Sequence, residues 1–138
     1  MEKLNEEFFT AVRENDLDKV RFLLEEGVDV NLKDEAEFTA LWLAILYNNR
    51  NMAKLLLDEG ADANLRIDDR TPLMCVSEMG YTDIAKLLLD SANVINCSGV
   101  VSLESALECS HEEIAKLLVQ YGVDINMLSN EAQKKYRK

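Results

Sequence analysis

VRFLLEEGVDVN (20–31), AKLLLDEGADAN (53–64), AKLLLDSANVIN (85–96) and AKLLVQYGVDIN (115–126) are four versions of one phrase. Their closing residues Asn31, Asn64, Asn96 and Asn126 are 33, 32 and 30 residues apart. A period near 33 residues predicts stacked structural units, each too small to bury its own apolar faces. Within the phrase, Ile84, Leu87 and Leu88, and again Ile114, Leu117 and Leu118, recur at i, i+3, i+4. That spacing puts an apolar stripe on one side of a helix. Ala53, Ala85 and Ala115 are the small residues that let helices approach, whereas Lys54, Lys86 and Lys116 fall on the opposite face. Gly27, Gly60 and Gly122 then stop the helix, because the left-handed backbone that ends it is least costly for glycine.

Upstream of the phrase stands a second element, TALWLAI (39–45), TPLMCVS (71–77) and the degenerate VSLESAL (101–107). Thr39 and Thr71 suit helix N-caps, and Pro72 fits the first helical position, where its missing N–H costs nothing. The two linked elements resemble the ankyrin repeat over residues 4–126. The fold so implied is all-α, an ankyrin-repeat solenoid of helix-turn-helix units with short hairpin fingers. Four helix pairs are expected in a single domain, 1–138: an N-cap repeat 4–31, repeats 32–64 and 65–96, a C-cap repeat 97–126 and a tail 127–138.

Departures from the regular pattern set local expectations. Asn31 to Thr39 spans eight residues, Asn64 to Thr71 seven, and Asn96 to Val101 only five, so the third finger is expected to be clipped, with Ser98 and Gly99 in a tight turn. Ala92 stands where a helix-ending glycine is expected, and Glu37 occupies the usual hairpin glycine position, which predicts a differently bent finger. The last repeat is the more polar one, as a terminal cap should be. NEAQKKYRK (130–138) is expected to be a frayed turn or disordered.

The chain of 138 residues carries −11. Residues 130–138 hold Lys134, Lys135, Arg137 and Lys138 against Glu131, a net of +3, which leaves −14 on residues 1–129. Such a body repels nucleic-acid phosphates and anionic lipid, and it either favours a basic protein partner or merely keeps a monomer soluble. The acidic start MEKLNEEFF carries no apolar leader, and no apolar run reaches membrane-spanning length. Three cysteines without a pairing pattern fit reduced thiols in a cytoplasmic location.

Chemistry is sparse. His111 is the only histidine and matches a position that makes structural hydrogen bonds in the family; with Cys109 it falls short of a zinc ligand set. Asp68–Asp69 and Glu112–Glu113 are consecutive, so their carboxylates diverge. No phosphate loop or nucleophile–base spacing occurs. Neither catalysis nor a cofactor or metal is expected.

What the resemblance implies instead is protein binding through a concave face made of finger tips and first helices. Register assigns to it Arg13, Glu14, Glu35, Ala36, Phe38, Trp42, Leu46 and Tyr47, then Ile67, Asp69, Arg70, Met74, Glu78 and Met79, then Val100, Glu104, Glu108 and Cys109. The expected anchors are Phe38, Trp42, Leu46, Tyr47, Met74 and Met79, of which Trp, Tyr and Met are types enriched in binding hot spots; the alternative is that some are core, the Trp42 and Met74 slot being often half-buried in the family. Asp69, Arg70, Glu78, Glu104 and Glu108 supply the polar rim. A soluble monomeric adaptor or inhibitor of a protein partner is the first expectation. A subunit of a permanent assembly, or a homodimer using the same patch, is the alternative.

Overall fold

A computed structural model describes residues 2–91 and 94–137; the side chains of 94–98, 135 and 137 lie outside the described set. Among the described residues the architecture is all-α, and the helices come in pairs: α1 (Glu2–Arg13) with α2 (Leu17–Glu25), α3 (Ala40–Leu46) with α4 (Arg50–Asp58), α5 (Pro72–Met79) with α6 (Thr82–Leu89), and α7 (Val94–Glu108) with α8 (Glu112–Gln120). A 3-10 turn (Ile125–Met127) leads into a ninth helix, α9 (Asn130–Arg137). The chain divides into two compact units, Met1–Asp62 and Ala63–Lys138.

Each pair is built by the same local chemistry. Thr39 and Thr71 start α3 and α5 in extended backbone, and their hydroxyls accept from Trp42 N and Met74 N, both at 3.3 Å. These caps satisfy amides that would otherwise be buried without partners, since both threonines are themselves buried. Pro72 occupies the first turn of α5, as expected from sequence. After the second helix, Gly27, Gly60 and Gly122 take φ of +104°, +95° and +104°, and the amide that follows each bonds back to Leu23, Leu56 or Leu118. The same closing bond recurs at the end of every first helix: Asp16 N to Ala11 O, Asn49 N to Ala44 O, Tyr81 N to Val76 O and His111 N to Ala106 O. The left-handed residue there is Asn15, Asn48, Gly80 or Ser110. Asparagine tolerates this backbone better than most side chains, but its role at these turns has no repeating letter to reveal it.

In the first unit the core is a column of fully buried side chains, Phe8, Leu23, Leu41, Ile45, Met52 and Leu56. α1 packs on α3 and α2 on α4. The finger between them keeps the left-handed backbone at Glu37 (φ +70°), the conformation glycine would take. It is held by Asp34, whose Oδ1 accepts from Ala36 N and Phe38 N at 2.9 and 3.0 Å. Asn31 Oδ1 accepts from Asp62 N at 2.7 Å and so links the two phrase-closing loops of this unit.

The second unit differs from expectation in two places. Residues 98 and 99 do not form a tight turn: the backbone from Val94 onward is helical, and α7 runs 15 residues where α3 and α5 run 7 and 8. The short stretch before Val101 contains neither a threonine cap nor a proline, so nothing delays helix initiation, and Gly99 is carried inside the helix at a modest entropic cost. Ala92 lies outside the described residues. The tail is the second correction. Leu128 and Ala132 are buried, and α9 packs on α7. Ser129 caps α9 by accepting from Ala132 N at 3.3 Å, while Ser129 N donates to Glu104 Oε1 at 3.0 Å. Glu104→Ala is therefore expected to accelerate amide exchange in residues 129–137 about fivefold, equivalent to ~1 kcal/mol for a lost bond to a charged acceptor. Unchanged exchange there, measured by mass spectrometry, would show that apolar burial alone holds α9.

Candidate functional site

The sequence points to a recognition surface, and the two units contribute to it separately. In the first unit, α3 is a seven-residue helix in which Ala40 through Ile45 are all buried. Trp42 is 4% exposed, so it is a core residue and not a solvent-facing anchor. With six successive residues inside, the start of this helix has no wet face; exposure begins at its last residue. Leu46 is 44% exposed and Tyr47, the C-cap, 54%. Phe38 precedes the N-cap and is half-buried, so Phe38, Trp42 and Leu46 do not make one exposed stripe. Arg13 and Glu14, at the same register one repeat earlier, are exposed, as are Glu35 and Ala36 on the finger.

In the second unit Met79 occupies the register of Tyr47, eight residues after the capping threonine, and is 55% exposed. Met74, at the register of Trp42, is half-buried. Arg70 and Glu78 are brought together in an ion pair at 2.5 Å, which also holds the Arg70 guanidinium more firmly protonated. Asp69 is exposed at the finger tip, where Asp68 and Asp69 both take positive φ between Ile67 and Arg70, which exchange both backbone hydrogen bonds. That is the two-residue hairpin turn whose backbone twist suits a tight finger. Glu108 and Cys109 end α7 exposed, and Val100 is half-buried. Glu104, expected on the rim, is half-buried and occupied with Ser129.

His111 and Tyr121 each bond within the second unit, and Cys75 is buried there. His111 Nε2 lies 2.9 Å from the Glu78 carbonyl oxygen. The carbonyl can only accept, so the ring carries its proton on Nε2. Burial pushes the Cys75 thiol up, partly opposed by the charge of Arg70, which keeps it protonated and unreactive near neutral pH. The Tyr121 hydroxyl donates to Asp90, and that bond raises its pKa. Among the described residues no group of three or more His, Cys, Asp or Glu side chains is placed to hold a metal ion, and no helix is long and apolar enough to cross a membrane.

One feature of the first unit was not visible in sequence. A cleft of about 600 Å³ opens between α1 and the loop 32–36, lined on the helix by Asn5, Glu6, Phe9, Thr10 and Arg13. Asn5, Glu6, Phe9 and Thr10 lie in the repeat that the sequence marks as the N-terminal cap. Their second role depends on where the loop folds back, which no local pattern announces.

Comparison with known proteins agrees with this geometry. A family model described as ankyrin repeats (3 copies) matches residues 8–67 and 60–129. A protein of Rickettsia bellii (strain RML369-C) bearing the name "Putative ankyrin repeat protein" is 29% identical over 126 residues, which cover 86% of this chain and 48% of that protein. The chain thus spans about half the length of that relative. Ankyrin repeats are generally protein-binding modules. With both repeat elements, the paired helices and the family match in agreement, the chain belongs to the ankyrin-repeat family.

Proposed function

We propose that this chain is a recognition module, a monomeric adaptor or inhibitor that binds a protein partner through the residues ending its first helices, with no chemical step of its own. The observation that carries the reading is the pair Tyr47 and Met79. Each unit holds a large apolar side chain at the same register, more than half exposed, immediately before a rigid left-handed turn. The backbone at a helix end is already ordered and adds no loop-ordering cost on binding, and Tyr and Met are favoured contact residues. In the first unit Leu46 extends the exposed apolar surface beside Tyr47, and in the second unit Asp69, Arg70, Glu78 and Glu108 are the polar residues that accompany Met79. Arg70 and Glu78 already neutralise one another, so they contribute orientation more than charge.

Capture from a cell lysate on the immobilised chain tests this. Proteins retained by the parent and by a Glu113→Gln control should fall at least about tenfold on the Leu46→Ser/Tyr47→Ser variant, with helicity by circular dichroism unchanged. Equal retention on both variants would remove the helix ends from recognition. A mass of two copies that persists on dilution would move the reading to a permanent assembly.

A further inference from the structure

We propose that the cleft between α1 and the loop 32–36 receives an arginine side chain from an extended segment of the partner protein. The inference deepens the recognition reading above and rests on it. About 600 Å³ lies within the range of roughly 300–1,000 Å³ typical of ligand pockets. What the cleft accepts follows from which of its charges are already spent. Arg13 Nη2 pairs with Asp34 Oδ2 at 3.2 Å, and the other oxygen of Asp34 is taken by two loop amides. That pair ties the loop to the helix and forms the wall. Lys33 Nζ sits 3.7 Å from Glu37. Both cations of the lining are therefore neutralised. Glu6 and Glu35 remain, and among the described residues neither has an ion-pair partner.

The lining is mixed, and its apolar part comes from Leu32, Ala36 and the edge of the largely buried Phe9. An occupant with an apolar stem and a cationic head satisfies both parts. Arginine fits better than lysine, because the edge of its planar guanidinium can donate to more than one carboxylate while its stem lies on apolar lining. The chain's −11 draws a cationic segment in and repels an anionic one. A second copy's basic tail is the less favoured occupant, since it must bring another body of net negative charge with it.

The test is nitrogen-15 NMR of the full chain titrated at low salt with acetyl-Gly-Leu-Arg-Leu-Gly-amide, and with the same peptide carrying citrulline, a neutral isostere, for arginine. Saturable shifts are expected at residues 5–13 and 32–36. The citrulline peptide, and the Glu6→Gln/Glu35→Gln variant with the arginine peptide, should each bind about fivefold more weakly or less well still. Equal binding of the two peptides, or no saturable shift in the cleft, overturns the proposal. Shifts centred on Leu46, Tyr47 and Met79 overturn it while leaving the recognition reading in place. If cleft shifts appear on concentrating the protein alone and vanish in Lys134→Gln/Lys135→Gln, the occupant is a second copy and the proposal falls. If the cleft binds as expected but the Leu46→Ser/Tyr47→Ser variant captures partners undiminished, the helix-end reading fails and the cleft stands.

Discussion

Trp42→Ala is expected to lose about 3–5 kcal/mol of folding stability, read as a lowered urea midpoint with the slope preserved. The ring is 4% exposed within a helix whose first six residues are all buried, so truncation removes a large apolar volume from the interior and leaves a cavity. Tyr47→Ala, five residues on and more than half exposed, should cost less than about 1 kcal/mol. The contrast separates the two aromatic residues that register alone had grouped as surface anchors. A Trp42→Ala protein within 1 kcal/mol of the parent would mean that the indole faces solvent after all. Because the variant loses stability, any loss of binding it shows says little about an interface, and Tyr47 is the residue on which recognition should be tested.

Gly80→Ala should cost about 2–4 kcal/mol, well above the roughly 1 kcal/mol expected for Asn48→Ala at the equivalent turn. Both positions hold left-handed backbone, with φ of +78° and +54°, but only Gly80 is covered. A Cβ there would lie 2.6 Å from His111 Cε1 and 2.8 Å from Nδ1. Those are atoms of a ring fixed by its bond to the Glu78 carbonyl, not the free end of a flexible chain. To make room, the imidazole must leave that carbonyl, so a steric clash and a lost hydrogen bond add to the backbone strain. The double variant Gly80→Ala/His111→Ala should consequently be less destabilised than the sum of its parts by about 1–2 kcal/mol. Additivity in that cycle, or equal costs at Gly80 and Asn48, would show that the ring yields without consequence.

Much of this architecture follows from the sequence by itself. The period near 33 residues, the i, i+3, i+4 stripes, the threonine caps and the glycine stops are all local signals. Each specifies backbone geometry within a few residues, and repetition makes the specification redundant. The sequence likewise placed His111 in a structural role and the ends of the first helices at the surface. Tertiary structure decided what depends on neighbours distant along the chain. Whether Trp42 is wet or dry is set by what surrounds α3 on every side, since helical register gives a direction but not what lies in it. The clipped interval before Val101 could end in a turn or join the next helix, and the packing surfaces that α7 shares with α5 and α8 favour the helix. Residues 130–138 are too polar to announce a helix. Asn130–Arg137 form one because Leu128 and Ala132 find apolar cover and Ser129 finds Glu104, 25 residues away. The cleft of the first unit is of the same kind: Glu6 and Glu35 share it because Asp34 reaches back to Arg13, a contact between charges 21 residues apart that sequence spacing alone does not select.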